Sequence, residues 1–264
     1  MLKWKRQNVN FGKKMAIFNK NLKFLLGHRG DPKNFAENTL QSFKQCVRKG
    51  ADGFETDIYL TSDNVLVISH DDTLKSGITI TDSTFAELRN LEPEMPTLLE
   101  TLQNFPNSLI DIEVKPCDNS VRQSITSEIA ECLLDDVKQF NIENLLVTSF
   151  SIEQLIQIKK RIAAEIDINL ALGFLFYPEH FQTAEEILDQ TKTAAVKCTS
   201  LGIDFFLPHY LTITEEFLSF SSSYEYKLVA WTVNDTDTAK GLLKNEQVQG
   251  IISDDPQLIE IGSL

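Results

Sequence analysis

The chain has 264 residues, a length that suits one large α/β domain or two smaller ones. Hydrophobic residues make up 42% and charged residues 24% of the chain, as in a globular protein with a sizeable core. The formal net charge of -13 argues against a nucleic-acid-binding protein, because a phosphate backbone needs a basic surface.

The beginning of the chain has the opposite charge. Residues 1–30 contain eight lysines and arginines and no acidic residue. No apolar run of signal-peptide length follows, and no stretch is apolar enough to cross a membrane. We expect residues 1–21 to form a basic, loosely packed extension, with a targeting signal or a membrane-surface anchor as the alternatives. Residues 22–264 are expected to form a single domain.

The cysteines indicate the compartment. Cys46, Cys117, Cys132 and Cys198 are scattered without CxxC spacing. In a chain of this length without a signal peptide, four reduced thiols are expected rather than two disulfides. We also expect a cytoplasmic location. Nothing in the sequence indicates the oligomeric state.

Apolar runs typical of buried strands alternate with amphipathic helical patterns along the chain. The predicted strands are Lys23–Gly27, Gly53–Tyr59, Leu109–Val114, Leu145–Phe150, Asn169–Phe176, Ile203–Leu207, Lys227–Val233 and Gly250–Ser253. The predicted helices are Glu37–Lys49, Thr97–Gln103, Val121–Phe140, Ser151–Arg161, Thr183–Cys198, Thr214–Phe220 and Asp235–Lys244, with a last turn near Pro256–Ile261. Eight such units predict the α/β class and a (β/α)8 TIM barrel, although periodicity also permits a doubly wound open sheet.

The second unit has an additional element. After the second strand come the turn residues Ser62, Asp63 and Asn64, and then the alternating run Val65–Ser69. This pattern predicts a β-hairpin at the end of the second strand. The polar segment that follows, residues 72–94, is too short for a domain but long enough to lie over the mouth of a barrel.

Carboxylates cluster on two neighbouring strands. Glu55 and Asp57 are two residues apart and therefore share a face of the second strand, as Asp111 and Glu113 do in the third. Three such carboxylates meeting at one point would repel each other without a cation, and hard divalent cations prefer oxygen ligands. Each pair alone could be a solvated face, and Lys115 could simply neutralise Glu113.

Two histidines lie at the ends of predicted strands. His28 and Arg29 end the first strand, and His70 ends the hairpin. Histidine suits proton transfer near neutral pH, although His28 taken alone could be an ordinary strand-end residue. The coincidence of polar groups at successive strand ends, where barrel enzymes hold their reacting groups, favours a site.

In order and spacing, these residues resemble the glycerophosphodiester phosphodiesterase family. The matching motifs are His28-Arg-Gly30, Ala36-Glu-Asn-Thr39, Glu55-Thr-Asp57, Thr61-Ser-Asp63, Val67-Ile-Ser-His-Asp71, Pro96-Thr-Leu98, Glu113-Val-Lys115, Ser149-Phe150, Trp231-Thr-Val-Asn234 and Gly250-Ile-Ile-Ser-Asp-Asp-Pro256. The resemblance covers residues 22–262, and the motifs are specific in combination.

The resemblance implies an activity and a set of roles. It implies metal-dependent hydrolysis of a small glycerophosphodiester to glycerol 3-phosphate and an alcohol. The implied metal ligands are Glu55, Asp57 and Glu113, for Mg²⁺ or Ca²⁺, and the implied general acid/base pair is His28 and His70. The implied substrate contacts are Arg29 and Lys115 at the phosphate, Trp231 at the glycerol, and Phe150 and Phe176 at the mouth.

The sequence departs from the family pattern in two places. Ala36 stands where proline is common, and the segment after His70-Asp71 is shortened, which leaves the preferred alcohol open. One alternative is a sphingomyelinase D-like enzyme that cleaves phospholipid or lysophospholipid headgroups and releases a cyclic phosphate. The other is a non-catalytic phosphate-binding barrel. Whether water or a substrate hydroxyl attacks first is also open.

Overall fold

The computed structural model describes residues 22–116, 125–140, 142, 144–165, 170–178 and 183–259. The predicted extension at residues 1–21, Cys117 and the start of the helix predicted from Val121 lie outside this part of the chain. Among the described residues, no helix is both long and apolar enough to span a bilayer. The three described cysteines are free thiols.

One sheet organises the molecule. Its strands are β1 (Phe24–Gly27), β2 (Gly53–Leu60), β3 (Leu66–Ile68), β4 (Leu109–Val114), β5 (Leu145–Ser149), β6 (Ala171–Phe176), β7 (Phe205–Pro208), β8 (Lys227–Ala230) and β9 (Val248–Ser253). All except β3 are parallel, and β1 pairs with both β2 and β9, which closes the sheet. The predicted (β/α)8 barrel is therefore confirmed and the open sheet is excluded. β3 runs antiparallel to β2, as the hairpin prediction required.

Helices connect the strands. They are α1 (Leu40–Lys49), α2 (Phe85–Leu91), α3 (Leu98–Asn104), α4 (Ile125–Lys138), α5 (Ile152–Ala163), α6 (Ala184–Ser200), α7 (Glu215–Ser221) and α8 (Thr236–Leu243). All except α4 follow a Ser, Thr or Asp whose side chain accepts a backbone hydrogen bond from three residues further along, the usual N-cap. α1 begins three residues later than predicted, because Thr39 caps it and Asn38 has a left-handed φ of 56°.

The segment after the hairpin contains α2, which was not predicted from the sequence. Thr84 and Glu87 form a reciprocal capping box at its start. Its buried residue, Leu88, packs with Ile80 and with Val67 of the hairpin in a small apolar cluster of their own. The segment is thus anchored to the β2–β3 hairpin by apolar contacts.

Alternation along the parallel strands separates two apolar layers. One layer lies inside the barrel and contains Phe24, Leu26, Leu109, Leu146, Ala171, Leu175, Phe205, Leu207, Val229 and Ile252. The intervening residues, such as Phe54, Ile112 and Phe206, belong to the larger core that includes the helices. Because successive side chains point to opposite faces, the residue two positions beyond the last inner member of a strand also faces inward. This rule determines which side chains meet at the carboxyl end of the barrel.

Candidate active site

The inner faces of all eight parallel strands contribute a side chain to the carboxyl end of the barrel. In strand order these residues are His28, Asp57, Lys115, Phe150, Tyr177, His209, Trp231 and Asp254. The half of the mouth from β9 through β1 and β2 to β4 carries charged and ionisable groups. The half from β5 to β8 is mainly aromatic.

The three predicted carboxylates come together. Glu55, Asp57 and Glu113 are 4%, 1% and 8% exposed, and each offers an oxygen within 4.8 Å of the others. Burial, reinforced by the charges of Asp57 and Glu113, raises the pKa of Glu55 well above its usual range. Glu55 Oε1 is buried and has no hydrogen-bond partner within the described part of the chain. An all-carboxylate donor set with an unsatisfied buried oxygen fits a hard divalent cation such as Mg²⁺ or Ca²⁺.

Two basic side chains border this cluster. Lys115 Nζ lies 2.6 Å from Asp57 Oδ1 and 2.7 Å from Glu113 Oε1. Burial alone would lower the pKa of Lys115, but the charges of these two carboxylates outweigh it and raise that pKa above its ordinary value. Arg29 Nη1 lies 3.0 Å from Glu37 Oε1, and Arg29 Nε lies 3.5 Å from Asp57 Oδ2. Both predicted phosphate contacts therefore stand beside the carboxylates as cations.

The loop between β1 and α1 orients two of the carboxylates. Arg29 has a φ of 52°, an uncommon value for a side chain with a Cβ, and its N–H donates to Glu55 Oε2 at 3.0 Å. Asn38 Nδ2 donates to Asp57 Oδ2 at 2.8 Å, while its Oδ1 accepts from the hydroxyl of Thr56 at 2.9 Å. The left-handed turns at Arg29 and Asn38 thus fix the directions of the Glu55 and Asp57 oxygens.

His28 is held by a chain of polar groups that connects β1, β8 and β9. Its Nδ1 lies 2.7 Å from Asp254 Oδ1, and the other oxygen of Asp254 accepts from Asn234 Nδ2 at 2.6 Å. Asn234 Oδ1 in turn accepts from Ser253 Oγ and from the N–H of Asp254. The hydrogen bond from His28, followed by the one from Asn234, lowers the pKa of Asp254 despite its partial burial. An ionised Asp254 keeps the proton of a neutral His28 on Nδ1 and its lone pair on Nε2.

His70 has a simpler environment. Its Nδ1 lies 2.8 Å from Asp71 Oδ1, and the Asp71 side chain is 78% exposed. The hairpin that carries both residues pairs with β2, the strand that bears Glu55 and Asp57. Each predicted acid/base histidine is therefore paired with a carboxylate through Nδ1.

The aromatic half of the mouth is a contiguous group. Trp231 contacts Phe150 edge to face at a centroid distance of 5.4 Å, His209 at 5.4 Å and Tyr177 at 6.2 Å. Its indole N–H donates to the Leu207 carbonyl at 2.7 Å, which fixes the ring. The structure thus places the Trp231 and Phe150 rings in contact at the mouth.

One expectation for the mouth was wrong. Phe176 lies on the outer face of β6 and packs against Phe206, with the ring centroids 6.0 Å apart. The inward residue on this strand is Tyr177, two positions after Leu175. Sequence reasoning also overlooked His209 and the roles of Asn234 and Asp254. Alternation from Leu207 would have identified His209, and the other two already stood within matched motifs.

The fold, together with the family and relatives that match this chain, defines a class: TIM-barrel phosphoric diester hydrolases. A model of the glycerophosphoryl diester phosphodiesterase family matches residues 28–258. The chain therefore belongs to the glycerophosphoryl diester phosphodiesterase family. It is 28% identical to a glycerophosphodiester phosphodiesterase of Caldanaerobacter subterraneus subsp. tengcongensis, across 89% of this chain and 95% of that protein.

Solved structures agree with this assignment. A glycerophosphodiester phosphodiesterase from Thermotoga maritima superposes with a TM-score of 0.70 at 26% identity, covering 89% of this chain and 96% of that one. A phosphodiesterase from Oleispira antarctica, solved in complex with the product sn-glycerol-3-phosphate, has a TM-score of 0.75 at 23% identity, covering 94% and 99%. The second likeness shows the shared fold.

Proposed function

We propose that this protein is a metal-dependent hydrolase of glycerophosphodiesters that forms glycerol 3-phosphate and an alcohol. The observation that carries the proposal is the cluster of Glu55, Asp57 and Glu113 at the mouth of the barrel, where their oxygens lie within 4.8 Å of one another. Family membership and the two carboxylate-paired histidines support the same reaction.

The three carboxylates would hold Mg²⁺ or Ca²⁺, which when bound neutralises charge on the non-bridging phosphate oxygens. Lys115 and Arg29, both cationic and beside this cluster, would bind the same phosphate. Their positive charge offsets the overall negative charge of the protein where an anionic substrate must enter. A small-molecule phosphodiester is therefore the proposed partner.

The two histidines would move the protons. Cleavage of the diester requires one group to accept a proton from the attacking hydroxyl and another to protonate the departing alcohol. With the Nδ1 proton directed to a carboxylate, a neutral imidazole offers Nε2 as a base and an imidazolium offers Nε2–H as an acid. His28 and His70 both have this arrangement. Asp254 additionally stabilises a positive charge on His28.

The aromatic half of the mouth would bind the glycerol moiety. Trp231 presents its ring beside Phe150, and its N–H is already bonded to a backbone carbonyl. The indole is therefore available for packing against carbon atoms rather than for hydrogen bonding to the substrate. The proposed orientation places the phosphate toward the charged half of the mouth and the glycerol toward the aromatic half.

Hydrolysis of a substrate panel by single variants tests this function. The panel is glycerophosphocholine, glycerophosphoethanolamine, glycerophosphoinositol and a lysophospholipid, each with and without chelator. His28→Ala and Glu113→Ala should each abolish turnover without lowering thermal stability enough to unfold the protein. The matched control is Glu131→Gln, an exposed carboxylate on α4 that should retain full activity. Full activity of either site variant would contradict the assignment of these residues.

A further inference from the structure

His209 occupies an inward position at the end of β7. Phe205 and Leu207, the two preceding residues of the same parity, both belong to the layer inside the barrel. The His209 N–H donates to the Phe176 carbonyl at 2.9 Å, and the residue pairs in parallel with Trp231 of the next strand. The backbone therefore fixes His209 in the ring of side chains around the mouth.

The His209 ring contacts three aromatic side chains. Its centroid lies 4.8 Å from that of Tyr210, with the two rings tilted by 43°. Its centroid lies 5.1 Å from that of Tyr177 and 5.4 Å from that of Trp231, and both contacts are edge to face, at 80° and 85°. Burial lowers the pKa of His209, which favours the neutral form of the ring. The proton transfers proposed for His28 and His70 do not involve His209.

The two ring nitrogens of His209 have different surroundings. Nδ1 is shielded from solvent and has no hydrogen-bond partner within the described part of the chain, whereas Nε2 is accessible to solvent. Nε2 is therefore the ring nitrogen that can hydrogen-bond to a bound ligand. In the tautomer that carries the proton on Nε2, it is a hydrogen-bond donor at the mouth.

This donor stands where a glycerol moiety needs one. Phe150 has no polar atom, and the Trp231 N–H is committed to the Leu207 carbonyl. Glycerol held against these two rings would bury hydroxyl groups, each of which needs a polar partner. We propose that His209 is a substrate-binding residue whose Nε2–H donates to a glycerol hydroxyl while Trp231 packs against the glycerol carbons. This inference rests on the proposed glycerophosphodiesterase function.

Two substitutions separate hydrogen bonding from packing. His209→Phe keeps an aromatic ring between Tyr177 and Trp231 but removes the donor. His209→Gln places an amide N–H near the position of Nε2 and should preserve part of the interaction. The matched control is Tyr210→Phe, which keeps the ring that contacts His209 at a centroid distance of 4.8 Å and removes only a hydroxyl group.

Binding of two ligands to the metal-loaded protein, measured by calorimetry, isolates the glycerol hydroxyls. The ligands are sn-glycerol 3-phosphate and propyl phosphate, which has the same carbon chain without hydroxyl groups. We expect His209→Phe to weaken binding of glycerol 3-phosphate roughly tenfold and to leave propyl phosphate binding unchanged, because only the former loses a hydrogen bond. His209→Gln should lie between His209→Phe and the wild type, and Tyr210→Phe should match the wild type.

Turnover of glycerophosphocholine, measured in parallel, separates a failure of the His209 inference from a failure of the proposed function. A purely structural role would weaken binding of both ligands equally, and such a result would overturn the inference about His209. So would unchanged glycerol 3-phosphate affinity in His209→Phe while the wild type hydrolyses glycerophosphocholine. A wild-type protein that hydrolyses no glycerophosphodiester would overturn the proposed function together with this inference.

Discussion

Replacing Asp254 with asparagine should inactivate His28 by reversing its tautomer. Asn234 is fixed in orientation, because its Oδ1 accepts from Ser253 Oγ and from a backbone N–H. Its NH₂ group therefore points at residue 254. In Asp254→Asn, the new amide must turn its oxygen toward Asn234 and its own NH₂ toward His28. His28 Nδ1 then becomes the acceptor, and Nε2 carries the proton that it should be free to receive.

The size of the effect follows from the hydrogen bonds. To restore the productive tautomer, the new amide at position 254 must turn its oxygen to His28 and its NH₂ to Asn234. The NH₂ groups of residues 234 and 254 then face each other, and neither has an acceptor. At about 1–2 kcal/mol for each unmet donor, the productive form is disfavoured by about 2–4 kcal/mol. The expected fall in kcat is roughly 30-fold to 1,000-fold. The change in KM should be smaller, because His28 acts mainly on proton transfer in the transition state.

The assay is steady-state hydrolysis of glycerophosphocholine, with thermal melting as the check on folding. Combining Asp254→Asn with Asn234→Asp should recover at least about tenfold of the lost kcat, because a carboxylate at position 234 can accept from the new NH₂ and so turn the amide oxygen back to His28. Retention of more than half of the wild-type kcat in Asp254→Asn would refute the orienting role of Asp254. Failure of the double substitution to recover activity would refute the tautomer explanation.

Three further predictions concern stability. Adding Mg²⁺ or Ca²⁺ at about 100 times its Kd should stabilise the fold by about 2.7 kcal/mol in thermal melts, and no shift would contradict the metal site. Burial, with Asp135 nearby, raises the pKa of Asp136 to about 6. Folded Asp136 thus holds its proton more tightly than the unfolded chain, so stability falls as pH rises from about 4 to about 6. Asp136→Asn should remove this pH dependence and raise the free energy of unfolding at pH 7 by about 1–2 kcal/mol, after allowance for solvent screening. The control, Asp135→Asn, changes an exposed carboxylate and should stabilise the protein less. Equal denaturation midpoints for the two variants would contradict the role of Asp136 burial. Gly53→Ala should lower the free energy of unfolding by more than about 3 kcal/mol, because the new Cβ would overlap the Leu109 carbonyl. Gly241→Ala should raise it by about 0.5–1 kcal/mol, because Gly241 lies within α8 and a Cβ there meets no other atom. Chemical denaturation of both variants measures the two changes.

The sequence predicted the parts of the fold that depend on local periodicity. All eight barrel strands and the hairpin were predicted, because apolar runs and turn residues are local signals. α2 was overlooked because its seven residues span only about two turns, too short for a helical repeat of apolar residues to stand out within a mainly polar segment. The capping box of Thr84 and Glu87 marks its start and is the local signal that could have identified it.

The site divides in the same way. The Glu-x-Asp spacing was enough to place Glu55 and Asp57 on one face, because strand alternation is a local rule. The link from His28 to Asp254 joins residues 226 positions apart, and only closure of the barrel by the β1–β9 pairing brings them together. The choice between Phe176 and Tyr177 required knowing which parity of β6 faces inward, which a continuous apolar strand does not reveal.

The most direct test of the central claim is phosphorus NMR of glycerophosphocholine incubated with the wild-type protein and Mg²⁺ or Ca²⁺. We expect conversion to glycerol 3-phosphate, which chelator stops and His28→Ala abolishes. Accumulation of a cyclic phosphate as the end product would favour the sphingomyelinase D-like alternative. An unchanged substrate signal with either metal would contradict the proposed hydrolysis itself.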